Sequence, residues 1–192
     1  MKVSKLVKKK NSLYEVVCEN KTLTVDEATV LKYKLFEGKD ITDELEILEY
    51  DLERKYYNQA LRYQFRYNKS EQEVINYLLD KELSFLMASK IVEELKSKGL
   101  INDLTLATNI ASSLARLGNG PLLIQLKLKN HLFKEPIIAE AIESISEEDV
   151  KEGINKLYKK GLKQYAKHPK QALKLKEYFY RHGYPYMPKF DD

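Results

Sequence analysis

A chain of 192 residues with 43% hydrophobic and 32% charged side chains can bury a core and stay in solution. One cysteine, Cys18, excludes an internal disulfide and fits a reducing compartment. No stretch approaches the roughly 18 apolar residues of a membrane span, and no apolar run follows the basic start (Lys2, Lys5, Lys8, Lys9, Lys10), so neither a membrane anchor nor a signal peptide is expected and the predicted address is cytoplasmic.

Lys2–Lys8, Leu13–Glu19 and Thr22–Val25 are short segments bearing Val, Leu and Thr. Asn11-Ser12 and Asn20-Lys21 separate them as turn pairs, which predicts a small hairpin or three-stranded meander. Cys18 lies in the second strand and reads as a small buried or edge residue. Asp26 caps a helix that ends before Gly38, and Thr42 caps the next, with Asp43 and Glu44 in its acid-favouring first turn. From Tyr57 onward the punctuation is helical, and the scarcity of Gly (7) and Pro (5) favours long helices. Ser70 and Glu73 form a capping box, Ser84 caps the next helix and Gly99 ends it. Asp103 caps a helix reaching Arg116, Gly118 and Gly120 break the chain, and Pro121, Pro136 and Pro169 suit helix starts. Ser146 with Asp149 makes a second box-like start, and Gly183 and Pro185 stop the last long helix.

A repeat underlies this punctuation. At an offset of fifty residues Arg66 falls over Arg116, Val74 over Ile124, Leu78 over Leu128, Leu83 over Phe133 and Ile91 over Ala141. Fifty-one residues further on, Lys167, Leu175, Phe179 and Tyr184 continue the first four series. Each unit holds a long helix, a shorter one and a third, and such units bury little alone, so they should stack into an elongated, curved array. The predicted fold is therefore mainly α. Residues 1–25 form the β element, 26–56 linking helices, and 57–103, 104–149 and 150–192 three three-helix repeats, the last truncated in its final helix.

The run Ala60-Leu61, Arg66, Lys69-Ser70-Glu71-Gln72-Glu73-Val74 and Tyr77-Leu78 resembles the opening of RecX proteins. So do Gly99-Leu100-Ile101-Asn102-Asp103 with Ala107, Gly120-Pro121 with Ile124 and Leu128, and the closing Arg181-His182-Gly183-Tyr184. The resemblance spans about Tyr57–Tyr184, and the segment before it looks like the N-terminal extension of the Gram-positive members. It implies a modulator of the RecA recombinase that binds within or alongside the RecA filament on DNA and limits strand exchange, ATPase and co-protease activity. The chain departs from the family pattern at Glu82 and at His131-Leu132, where a glycine is usual. Those turns are expected to close differently or to carry strain.

Charge is distributed unevenly. Residues 150–192 hold eleven Lys or Arg against four Asp or Glu, while the rest of the chain is net −3. Lys156, Lys159, Lys160, Lys163 and Lys167 recur at helical steps, with Lys170, Lys174 and Arg181 continuing the stripe. No acid is expected to interleave it, so mutual repulsion favours a binding role for phosphates or an acidic surface over a merely solvated face. Tyr158, Tyr165, Tyr178 and Tyr180 interleave the cations. A seam between helices is the expected role for most of them, with Tyr180 the one to test for base stacking. Arg66, Arg116 and Lys167 share one repeat position near helix ends, where the dipole favours cations. A structural role is preferred for them, with a binding face as the alternative.

Catalytic patterns are missing. His131, His168 and His182 lack zinc-ligand spacing, no phosphate-binding loop or nucleophile elbow occurs, and Pro121 removes an amide that a cradle at Gly118-Asn119-Gly120 would need. No cofactor or metal is expected. The competing reading is a nonspecific nucleic-acid-binding helical module acting directly on DNA. A groove reader needs Arg, Asn or Gln at the start of its recognition helix, whereas the basic unit carries Lys with a single Arg181, which suits phosphates of single- or double-stranded DNA better than base reading. The expected partner is the RecA nucleoprotein filament, engaged by a monomer through the cations named above.

Overall fold

The computed structural model describes residues 1–188. Strands β1 (Val3–Lys8), β2 (Leu13–Cys18) and β3 (Thr22–Asp26) form an antiparallel meander in the order β1-β2-β3. Asn11 and Ser12 both sit at φ 59°, the left-handed pair that matches a two-residue hairpin to strand twist. The β2–β3 turn is closed by the Cys18 amide on the Lys21 carbonyl at 2.8 Å. β3 alternates in and out, burying Leu23 and Val25. These pack with Val3, Val16 and the buried Cys18 onto Val30, Leu35, Ile41 and Ile47 of the segment that follows.

Asp26 caps α1 (Glu27–Lys32) by accepting the Ala28 amide. Asp43, not Thr42, caps α2 (Glu44–Tyr67): its carboxylate accepts the Glu46 amide, which puts the first helical turn one residue later than expected. α2 runs unbroken through Tyr57, so the linking segment and the first unit share one helix. Asp51 on α2 accepts both the Asp26 amide (2.7 Å) and the Thr29 hydroxyl (2.8 Å), which fastens the sheet to the helical array.

The remaining helices are α3 (Glu71–Leu79), α4 (Phe85–Ser97), α5 (Asp103–Arg116), α6 (Pro121–Asn130), α7 (Glu135–Glu143), α8 (Glu147–Gln164) and α9 (Gln171–Arg181). Ser70 and Glu73 form the full reciprocal capping box, and Ser84 and Ser146 cap as expected. Two starts differ from expectation. Asn102 caps α5, leaving the Asp103 carboxylate to accept the Glu71 amide at 2.8 Å and join α5 to α3. Pro169 stands ahead of the cap residue Lys170 and outside α9. The third unit shows two helices among the described residues.

Each unit has its own core, and the repeat positions lie at its centre. Leu78, Leu128 and Phe179 are all fully buried, and Val74, Ile124 and Leu175, Leu83, Phe133 and Tyr184, and Ile91 and Ala141 are buried with them. At each junction the start of one short helix meets the end of the next unit's equivalent. The Ser70 hydroxyl donates to the His131 carbonyl at 2.5 Å, and the Gly120 amide donates to the His182 carbonyl at 2.6 Å. The first junction is thus bridged by a side chain and the second by backbone against backbone.

Glu82, Leu132 and Gly183 occupy one repeat position with φ of 63°, 60° and 85°. The turns without glycine therefore close as the third does, with left-handed backbone, and carry the strain. Glycine is sterically required only at Gly183, where a Cβ would lie 2.4 Å from the Leu123 nitrogen. Left-handed backbone costs an L residue about 1–2 kcal/mol, and glycine loses roughly 0.5–1 kcal/mol in chain entropy. Glu82 is exposed, so Glu82→Gly should raise stability by about 0.5–1 kcal/mol in urea unfolding. A loss of stability would show that this turn closes otherwise.

Candidate functional site

The basic face is built by α8 and α9. Glu147, Glu148 and Asp149 fill the first turn of α8 and Lys163 its last, which suits the helix dipole at both ends. Gly153, Leu157 and Gly161 recur every four residues and form the buried ridge of α8. Gly153 rests on the end of α5 and Gly161 on Leu175 and Tyr178 of α9. With that ridge inward, Lys156, Lys159, Lys160 and Lys163 are exposed within an arc of about 100°.

The stripe is less regular than the spacing predicts. α8 ends at Gln164, so Lys167 lies in the turn beyond it and Lys170 at the cap of α9. Two acids do interleave the cations. Glu152 pairs with Lys156 at 2.5 Å and Glu177 with Lys174 at 2.7 Å, and these hydrogen bonds hold both carboxyls below the usual carboxylate range. Arg181 donates to the Tyr165 hydroxyl at 2.7 Å. Among the described residues Lys159, Lys160, Lys163, Lys167 and Lys170 make no ion pair and stand exposed.

The shared cation position resolves differently in each unit. Arg116, in the last turn of α5, binds Asp149 in the first turn of α8 at 2.9 Å and so clamps α5 to α8. Arg66 is exposed in the last turn of α2, its guanidinium 5.3 Å from the Tyr67 ring centre. Lys167 is exposed. The structural role expected of this position is visible at Arg116.

Of the interleaved tyrosines, Tyr158 and Tyr178 pack against Leu157, Phe179 and Tyr184, and Tyr165 meets Tyr178 edge-on at 6.0 Å. Burial pushes the Tyr184 phenol up to about 12. Tyr180 is 71% exposed. It lines a groove of about 900 Å³ with Tyr165, Lys174, Lys176, Arg181 and Tyr186. Among the described residues no three His, Cys, Asp or Glu side chains come together to hold a metal, and no helix is long and apolar enough to cross a membrane.

No family model matches the chain. Regulatory protein RecX of Listeria monocytogenes serotype 4a is 31% identical over 186 residues, which take in 92% of this chain and 68% of the relative. The chain belongs to the RecX family. Regulatory protein RecX of Streptococcus agalactiae serotype V is 32% identical over 181 residues, covering 92% of this chain and 69% of that one. Among solved structures, a crystal structure of regulatory protein RecX superposes with a TM-score of 0.78 at 22% identity, covering 95% of this chain and 94% of the other. RecX from Lactobacillus salivarius superposes at 0.63 and 23% identity, over 70% of this chain and 89% of that one. At these identities the two structures speak for the RecX fold alone.

In this RecX-family chain, the sequence pattern finds the exposed lysines of α8 but misses Lys176 and Tyr186 of the groove. Lys176 stands four residues before Tyr180 on α9, a spacing that was available as a signal. Tyr186 lies past the helix, where no periodicity points to it.

Proposed function

We propose that this protein is a non-catalytic regulator that binds the RecA–DNA filament in the cytoplasm and restrains RecA recombinase, ATPase and co-protease activity in DNA repair and recombination. The observation that carries this reading is membership of the RecX family, supported by identity of about 30% over nine-tenths of the chain. The three units (57–103, 104–149 and 150–192) act as one array, and the third supplies the contact. Lys156, Lys159, Lys160, Lys163, Lys167, Lys170, Lys174 and Arg181 are its binding residues, with Arg66 on the first unit. Exposed lysines on long stems suit phosphates or an acidic protein surface, as point charges that ask little of geometry.

The test is ATP hydrolysis by RecA on single-stranded DNA. This protein should suppress it when added at less than one copy per RecA. Hydrolysis that stays unchanged at excess protein, over a range of salt, would remove the assignment.

A further inference from the structure

We infer that the groove at the C-terminal end of α9 holds unpaired bases of single-stranded nucleic acid directly, stacking them on Tyr180 and Tyr186 and seating the backbone on Lys176 and Arg181. Tyr180 and Tyr186 stand 71% and 79% exposed, with their ring faces open to a ligand. They line the same groove of about 900 Å³, within the size range of sites that enclose a small ligand. Cations share the lining. Lys176 lies one helical turn before Tyr180 on the same side of α9, so a phosphate bound there would leave its base beside the ring. Arg181 lies on the adjoining side, held toward Tyr165 by a 2.7 Å hydrogen bond that fixes its guanidinium plane. Among the described residues the one acid in the lining, Glu177, is bound by Lys174, which offsets its repulsion of phosphate. Among the described residues the groove therefore keeps a positive balance from Lys176 and Arg181.

Alternating rings and cations at an open edge are what a sequence-tolerant single-strand site needs. Every base has a face to stack, and the backbone follows the charge. A duplex cannot use the rings in this way, since its bases are already stacked on each other. The exposed lysines of α8 lie outside the groove and offer phosphate contacts of either strand form. The groove thus adds a preference for unpaired strands that the lysine stripe does not supply. This inference stands apart from the RecA reading, because its test contains no RecA.

The experiment is anisotropy of a labelled oligodeoxythymidine and of a duplex of equal length, titrated with the full chain. Tyr180→Ala with Tyr186→Ala should weaken single-strand binding by about tenfold or more, leave the duplex unchanged, and leave the salt slope unchanged. Tyr180→Phe, which keeps the ring, should bind as the native chain does. Lys176→Gln with Arg181→Gln should flatten the single-strand salt slope by about 0.7 per lost contact. Circular dichroism of each variant establishes that it is folded. A folded double-tyrosine variant that binds oligodeoxythymidine as the native chain does would overturn the inference. So would an equal loss for duplex and single strand. Either result leaves the ATPase test untouched, and a failed ATPase test leaves the groove's binding in place.

Discussion

Gly153→Ala is expected to loosen the third unit from the second and to destabilise the protein by about 3 kcal/mol or more. A Cβ on Gly153 would lie 1.8 Å from the Ala115 carbonyl oxygen, 2.9 Å from its carbon and 3.0 Å from the Gly118 nitrogen. All three are backbone atoms at the end of α5, so no rotamer change relieves the overlap and α8 must move away. In an unobstructed helix interior the same change would stabilise by about 1 kcal/mol, so the sign itself is informative. Gly161→Ala is the internal control. Its nearest obstacle is the Leu175 Cδ2 atom at 2.7 Å, the far end of a flexible side chain. That variant should lose far less, or nothing. Urea unfolding of both variants decides the matter. Equal stability of the two would show that α8 does not sit on α5 as described.

The second large effect is electrostatic. Replacing Lys159, Lys160, Lys163 and Lys167 by Gln should flatten the salt dependence of binding to the RecA–DNA filament by about three units on a log–log plot. Four phosphate contacts correspond to roughly a hundredfold loss of affinity between 50 and 200 mM salt, and the variant should lose most of that dependence. These four are chosen because each is exposed and none is ion-paired among the described residues, whereas Lys156 is held by Glu152. Gln has helix propensity close to that of Lys, so the fold should survive. A folded variant with unchanged affinity and slope would reduce the stripe to a solvated face. Unchanged filament binding with weakened bare DNA binding would move the partner surface toward Arg66.

Local signals carried most of the fold. The meander, the Ser70–Glu73 box and the fifty-residue repeat depend on residues near one another in sequence, and the repeat positions Leu78, Leu128 and Phe179 are buried together with their neighbours. Errors arose where one residue's backbone angle or a distant partner decides the outcome. Thr42 and Asp43 are both good caps, as are Asn102 and Asp103. The choice falls to whichever residue takes the extended conformation and to the Glu71 amide that claims Asp103. The left-handed turns at Glu82 and Leu132 form without the glycine that the sequence pattern led one to expect there. At the candidate site, charge composition singled out the third unit, but linear spacing could not show that Lys167 leaves the helix. Nor could it show that Tyr186 lines one groove with Tyr180, whereas the Glu152–Lys156 and Lys174–Glu177 pairs stand at i,i+4 and i,i+3 and were legible in the spacing.

The most direct test of the central claim is binding to the filament itself. Labelled protein would be titrated with RecA assembled on single-stranded DNA with a non-hydrolysable ATP analogue, with RecA alone and with the bare strand. The account predicts saturable binding to the assembled filament, tighter than to either component at the same salt. Binding to the bare strand that disappears when RecA covers it would contradict the account.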